Sequence, residues 1–413
     1  MRTMEPSTNS LLGAYGSCIG GLGAEGPGNR GIPEYSFLNP EWTDIDSWRR
    51  EAGRQFATHL LAPKLGSPRV EITAKRNYDG LIIEELSWSF PCGPVTRAWF
   101  LKPENAPGRL PGVLAFHDHG GNKYFGKEKI ACADADGHPS LTASRQLYYG
   151  GRPWANELAK RGYGVLVHDI FPFGSRKILP SDLPGLVVDR MMLPPEEVRE
   201  LEPKDVRAGR VRTDFNVSDA EPQTEIDRYN AFAGQHEAII AKAIFSVGHT
   251  WPGFVLAEDT FALDYLCSRA DIDPDRLGCS GLSGGGLRTN YLAGSDPRIR
   301  CSVTAGFMTT WTDFALHTAY THTWMIYIPG LPRYMDFPDI LSMRAPLPAL
   351  VLANRQDPLF SVDEVLKAES ILKAAWKKAG EQEKFRFSWY DGPHQFNTAM
   401  QDEAFTWFDH HLT

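Results

Sequence analysis

The stretch Cys279-Ser280-Gly281-Leu282-Ser283-Gly284-Gly285-Gly286 holds four glycines and two serines in eight residues. Three readings compete for it: a flexible linker, a phosphate cradle, or a strained turn that presents one serine as a nucleophile. The flanks decide. "DRLGCS" (275–280) reads as a short strand and "LRTNYLAG" (287–294) as a helix. A linker is not bounded by regular apolar segments. A phosphate loop needs Gly-Lys-Ser/Thr to follow, and none does. Gly281-x-Ser283-x-Gly285 between a strand and a helix fits a nucleophile elbow. The positions around Ser283 must be small, because side chains there would collide with the neighbouring strand and helix. Gly281, Gly284 and Gly285 meet that need. The turn also sets Ser283 just before a helix N-terminus, whose free N–H groups favour developing negative charge.

Outward from this turn the chain alternates. "GLIIEELSWSF" (80–90) and "VTRAWFLKP" (95–103) read as strands, the second with the alternation of an antiparallel pair. "GVLAFHDHGG" (112–121), "VLVHDIF" (165–171), "IRCSVTAGF" (299–307), "PALVLANRQD" (348–357) and "FRFSWYDG" (385–392) read as further strands. Helical patterns lie between and after them: 154–164, 257–270, 362–380 and 399–412. Strands alternating with helices predict an α/β fold, a mostly parallel sheet flanked by helices. Residues 1–69 are expected to form an N-terminal arm ending in a helix that carries Trp48, Phe56 and Leu60, and 70–413 the main domain. Two segments break the rhythm. Residues 172–255 are expected to form a lid or cap, with "PPEEVRELEPKDVRAGRVRTD" (194–214) and a helical "RYNAFAGQHEAIIAKAIF" (228–245). Residues 309–345, rich in aromatics, form a second excursion.

A serine hydroxyl needs a base held by a third group. On an elbow of this kind the acid and then the histidine follow the serine in the chain. His394, in "WYDGPHQF" after the last strand, is the expected base. His410 and His411 sit on the final helix and read as a solvated helix end. Asp357 ends a strong apolar strand and precedes a proline turn, and is the expected acid. Asp313 and Asp363 are lesser candidates, and Asp391 is too close in sequence to His394 to orient it. The oxyanion hole requires two backbone N–H groups. One belongs to Gly284, and the other to His119 or Gly120 in "FHDHGGNKYFG" (116–126). His117-x-His119 could begin a metal site, but Gly121 and Asn122 stand where further ligands would follow, so no metal is expected. The pair is expected to support the oxyanion turn instead. Contacts to substrate are expected from His117, Trp251, Trp311 and Trp324.

The chain has 413 residues, 42% hydrophobic and 23% charged, with net charge -8. That balance argues against a nucleic-acid partner. No apolar run reaches the length of a transmembrane helix, and no polybasic segment points to a membrane surface. Six scattered cysteines (Cys18, Cys92, Cys132, Cys267, Cys279, Cys301) form no C-x-x-C pair and suit reduced thiols. With no basic-then-apolar leader at the start, the expected location is the cytoplasm. Gly21-Leu22-Gly23-Ala24-Glu25-Gly26 matches G-x-G-x-x-G, but no strand precedes it and Pro27 follows, so no dinucleotide site is expected.

Taken together, these motifs resemble the α/β-hydrolase superfamily, in its dienelactone-hydrolase and acetyl-xylan-esterase-like branch. The resemblance rests on "PGVLAFHDHGGNK" (111–123), "AEDTFALDYLCSRADIDPDRLGCSGLSGGG" (257–286), "ANRQDPLF" (353–360) and "DGPHQF" (391–396). It covers about residues 75–413 and is weakest over 172–255. It implies Ser283 as nucleophile, Asp357 as acid, His394 as base, and the N–H groups near His119 and of Gly284 as oxyanion hole. It implies a serine ester hydrolase acting on a small-molecule ester without a cofactor, and leaves a homo-oligomer open. Three departures stand out. Asp118 occupies a position where many relatives have glycine. The nucleophile is serine, so a dienelactone is not the expected substrate. The Arg-Gly-Gln motif of one acetyl-esterase subfamily is missing. A peptidase or amidase of prolyl-oligopeptidase type, a carbon–carbon bond hydrolase and a non-catalytic binding protein are the rival readings. About 70 residues before the first strand are too few for the propeller such peptidases usually carry.

Overall fold

The structure, a computed structural model, describes residues 10–16, 31–106, 108–135, 137–192 and 222–413. The G-x-G-x-x-G motif at 21–26 and the stretch 194–214 lie outside the described residues. A nine-stranded sheet runs through the molecule: β1 (Glu71–Tyr78), β2 (Leu81–Trp88), β3 (Thr96–Pro103), β4 (Leu110–Phe116), β5 (Gly164–His168), β6 (Ile272–Leu282), β7 (Cys301–Ala305), β8 (Ala349–Asn354) and β9 (Phe385–Tyr390). Their spatial order is β1-β2-β3-β5-β4-β6-β7-β8-β9. The pairs from β1 to β3 and β3 with β5 are antiparallel, and every pair from β5 onward is parallel.

The central strands are buried on both faces, which is why they read as continuous apolar runs. Successive side chains feed opposite layers. Leu114 and Phe116 of β4 join the core under one face, and Val113 and Ala115 the core under the other. The first face is covered by α1 (Ile45–Leu60), α6 (Trp251–Ser268), α7 (Gly284–Ser295), α8 (Phe337–Ser342) and α9 (Val362–Lys378); the second by α3 (Trp154–Lys160) and α10 (Thr398–Leu412). Trp48, Ala52, Phe56 and Leu60 of α1 share the first core, so this helix packs on the sheet.

Two elements escape the sequence pattern. Strand β1 is largely exposed along its length and therefore lacks apolar alternation. The helix α2 (Pro139–Tyr149) buries only Leu141, Arg145 and Tyr149, a stripe too thin and too polar to announce itself. Two further helices, α4 (Gly185–Met192) and α5 (Gln223–Ser246), belong to the expected insertion. The Asn230 side chain of α5 accepts from the Lys123 and Tyr124 N–H groups at 2.8 and 3.0 Å, which seats the helix on the loop after β4.

Candidate active site

Strand β6 delivers Ser283 to the C-terminal edge of the sheet, where open α/β sheets bind their ligands. Ser283 has φ 59° and ψ -117°, one of three non-glycine residues with positive φ among the described residues. An L-residue holds such a backbone only where its surroundings enforce it. Here the Ser283 N–H donates to the Ala305 carbonyl at 2.9 Å, and the Ser283 carbonyl accepts from Leu287 at 2.9 Å. The flanking glycines are required by contact. A Cβ on Gly281 would lie 2.6 Å from the Phe116 carbonyl oxygen and 2.7 Å from Gly285 Cα. A Cβ on Gly285 would lie 2.5 Å from that same oxygen. Ser283 is half-buried while its neighbours in the turn are buried, so the strained residue is the accessible one.

Two other strand ends complete the group. Asp357 follows β8 and His394 follows β9. His394 Nδ1 and Asp357 Oδ2 are 2.6 Å apart, while Asp357 Oδ1 accepts from the Leu359 N–H at 2.9 Å. A carboxylate accepts, so Nδ1 carries the proton and Nε2 is a free lone pair. That Nε2 is buried and has no partner among the described residues. The imidazole lies over Gly306, directly after the Ala305 that holds Ser283. A Cβ there would meet His394 Cε1 at 3.1 Å and Leu282 Cδ1 at 2.7 Å. Neither Asp363 nor Asp391 bonds the His394 ring among the described residues. Asp391 is exposed and faces Arg355 at 3.8 Å, Asp363 is exposed at the start of α9, and the Asp313 side chain lies outside the described residues. His410 is exposed on α10, and His411 packs on Trp407 at 4.4 Å.

The loop after β4 meets the elbow from the other side. A Cβ on Gly284 would lie 3.1 Å from the His119 backbone nitrogen, so the two backbones approach closely. The loop turns at Gly120 and Gly121, with φ 50° and 66°. Asp118 organises it from below: its carboxylate accepts from Tyr149 Oη at 2.5 Å, and Lys129 Nζ reaches the Asp118 and His119 carbonyls at 2.9 Å each. A side chain on Gly120 would strike the Asp118 carboxylate, with Cβ 2.2 Å from Oδ2. The aspartate that departs from the family pattern is thus a buried anchor for the turn.

The two histidines of this loop face different partners. His117 is 1% exposed, its Nδ1 3.0 Å from the Asp118 carbonyl, and burial holds it well below the usual imidazole range, aided by Arg288 and Lys129. His119 Nε2 lies 2.7 Å from Glu237 Oε1, and its Nδ1 accepts from the Gly121 N–H at 3.2 Å. His119 is therefore neutral with the proton on Nε2, and burial and then the Lys123 charge lower its basicity.

Glu237, on α5, has no signal in the sequence. Its carboxylate takes His119, Lys123 Nζ at 2.6 Å and the Trp324 N–H at 3.2 Å. Burial alone would raise this carboxyl. The hydrogen bond from His119 and the charge and bond of Lys123 outweigh burial and hold it at about 2.

The expected substrate contacts divide. Trp251 is fully buried against Phe171, and Trp311 is buried and stacks on Phe337 at 3.9 Å, so both are packing residues. His117 is closed off in the same way. None of the three offers surface to a ligand, because the core absorbs each ring. Trp324 is 38% exposed, beside Glu237.

Comparison with known proteins agrees with this geometry at the level of fold. The prolyl oligopeptidase family model matches residues 251–392, a span that includes Ser283 and Asp357. A Bacillus subtilis protein provisionally named hydrolase YtaP is 27% identical over 291 residues, covering 70% of this chain and 74% of the relative. Among solved structures, a provisionally named acetyl xylan esterase of Bacteroides fragilis superposes with TM-score 0.60 at 16% identity, covering 90% of this chain and 81% of that one. A glucuronoyl esterase of Solibacter usitatus superposes with TM-score 0.58 at 13% identity, covering 92% and 98%. The fold is the one these esterase structures share, a largely parallel α/β sheet flanked by helices.

Proposed function

We propose that this chain is a serine hydrolase that cleaves carboxylic esters of small or medium size through an acyl-enzyme. One observation carries the reading. Ser283, held at positive φ on a strand–helix turn, is bonded to Ala305, and over the next residue, Gly306, lies the His394 imidazole, with Nδ1 tied to a carboxylate and Nε2 without a partner among the described residues. Ser283 Oγ attacks the ester carbonyl carbon as His394 Nε2 takes its proton. Asp357 fixes the tautomer and stabilises the imidazolium. The N–H groups of Gly284 and His119 receive the oxyanion, and each such donor is worth about 3 kcal/mol in the transition state. Collapse expels the alcohol, which takes the proton from His394. Water then enters by the same path and releases the acid. In this reading α5 and residues 309–345 cap the site. The structural likeness to an acetyl xylan esterase and a glucuronoyl esterase supports an ester of a hydroxylated compound.

The test is turnover of 4-nitrophenyl acetate and labelling by a fluorophosphonate probe, both expected to vanish in Ser283→Ala. An alanine variant that keeps its rate overturns the reading. The prolyl oligopeptidase match over 251–392 favours a second reading, amide hydrolysis by the same groups. Relative kcat/KM on a 4-nitroanilide and its matching 4-nitrophenyl ester separates the two.

A further inference from the structure

Residues His322 to Met325 run along the edge of the site. The Trp324 N–H donates to Glu237, which holds His119. The Met325 methyl packs on the elbow, 2.9 Å from where a Cβ on Gly284 would stand. His322 begins this run, its ring 4.5 Å from Phe314 and 5.1 Å from Phe360. Phe360 in turn lies 6.5 Å from the His394 ring. Phe360 thus links the His322 ring to the His394 ring.

The tautomer of His322 follows from its neighbours. The Thr321 hydroxyl donates to the Thr318 carbonyl at 2.7 Å, which leaves its oxygen able only to accept from His322 Nδ1, also at 2.7 Å. The Thr318 carbonyl, 3.2 Å from the same Nδ1, can only accept as well. Nδ1 therefore carries the proton, and Nε2 is a lone pair. That lone pair is buried and unpartnered among the described residues. Protonation does not rescue it, since burial pulls the imidazole down to about 4 and the Thr318 bond only partly opposes this.

A buried acceptor without a donor is costly and calls for a partner that arrives later. Ring nitrogens of His117, His168 and His411 are also buried and unpartnered among the described residues, but His117 and His168 are sealed in the core and His411 lies on the final helix. His394 Nε2 receives the Ser283 proton in the proposed reaction. His322 Nε2 has no such use. The ester group itself carries no hydrogen to give it. The geometry points to a specificity-determining role: His322 Nε2 accepts a hydrogen bond from an O–H or N–H that the substrate carries near its ester. Esters of polyols or hydroxy acids are then preferred over simple alkyl esters. This rests on the ester-hydrolase reading above.

The test uses two acetates that differ in one donor, 2-hydroxyethyl acetate and 2-methoxyethyl acetate. Wild-type kcat/KM is expected to favour the hydroxyl ester by about tenfold or more, the difference one satisfied hydrogen bond makes. In His322→Phe, which keeps a ring between Phe314 and Phe360, the ratio should fall to about 1. In His322→Gln, which restores an acceptor, part of the preference should return. The ratio is taken within each variant, so a general loss of activity does not mimic the effect. A wild-type ratio near 1, or one that His322→Phe leaves unchanged, overturns the proposal. The second outcome would also arise if His322 merely held the attacking water, because both esters would then slow alike. If 4-nitrophenyl acetate shows no Ser283-dependent turnover, the ester reading fails and takes this proposal with it. If that turnover is present and the ratio does not respond, only the role of His322 fails.

Discussion

His394 Nδ1 and Asp357 Oδ2 meet at 2.6 Å across 37 residues of sequence, joining the loops after the last two strands of the sheet. The bond leaves the lone pair on Nε2, the face that takes the Ser283 proton in the proposed reaction. Asp357→Asn keeps the shape and can still accept from Leu359, but its amide can donate to Nδ1 and so favours the wrong tautomer. Its kcat is expected to fall on the order of 10⁴-fold with little change in melting temperature. A loss below tenfold would mean that Asp357 does not orient the base.

Gly306 is a second point of control. Its φ is 57°, and a Cβ would press on His394 Cε1 at 3.1 Å and on Leu282 Cδ1 at 2.7 Å. Gly306→Ala must therefore strain the backbone, by about 1–3 kcal/mol, and push the imidazole away from Ser283. The expected result is a modest drop in urea midpoint with a loss of kcat well beyond tenfold. Retention of full kcat with only the stability change would show that the ring moves freely.

The contrast between these residues explains what could be read in advance. Ser283, Asp357 and His394 each follow an apolar strand and sit in a turn, so local pattern and chain order pick them out. Gly306 also follows a strand, but its need for glycine comes from a ring 88 residues later, which no local pattern encodes. Glu237 meets His119 across 118 residues and looks like any helix glutamate. Trp251 and Trp311 were expected at the pocket because aromatic type alone does not tell a ligand face from a core face. The parallel strands were legible because burial on both faces makes them continuous apolar runs. Edge strand β1, exposed along most of its length, carries no such mark.

Glu237 should link the oxyanion loop to acid stability. Glu237→Gln keeps one acceptor but leaves Lys123, 1% exposed, without its counter-charge. Both stability and kcat are expected to fall, the latter because a neutral amide holds the His119 N–H less strongly than the carboxylate does. The pH dependence has a definite sign. The folded carboxyl lies at about 2, below its ordinary value of 4.5, so between these the unfolded chain binds more protons. The carboxylate's contribution is complete above pH 4.5 and is lost as the pH falls towards about 2. The stability gap between wild type and Glu237→Gln, read from urea midpoints, should therefore shrink from pH 7 to pH 3. A gap that stays constant would assign the effect to packing alone.

The elbow helix is fixed from beneath by a charge pair that no catalytic step uses. Arg288 of α7 is 1% exposed, and its Nη2 and Nε reach the two oxygens of Asp259, on α6, at 2.7 and 3.0 Å. His168, at the end of β5, lies 2.9 Å from the same carboxylate, and the guanidinium stands 4.2 Å from the Phe116 ring centroid. Removing one partner strands the other charge in the core. Asp259→Ala is expected to cost about 3–5 kcal/mol, read as a lowered urea midpoint. Arg288→Met should be costly for the mirror-image reason, with Asp259 left unpaired. The double variant Asp259→Ala/Arg288→Met leaves neither charge behind and should be more stable than Asp259→Ala, even if it does not reach wild type. A double variant whose loss equals the sum of the single losses would show that the two groups are not coupled. The pair would then be ruled out as what holds α7 against β4 and β5.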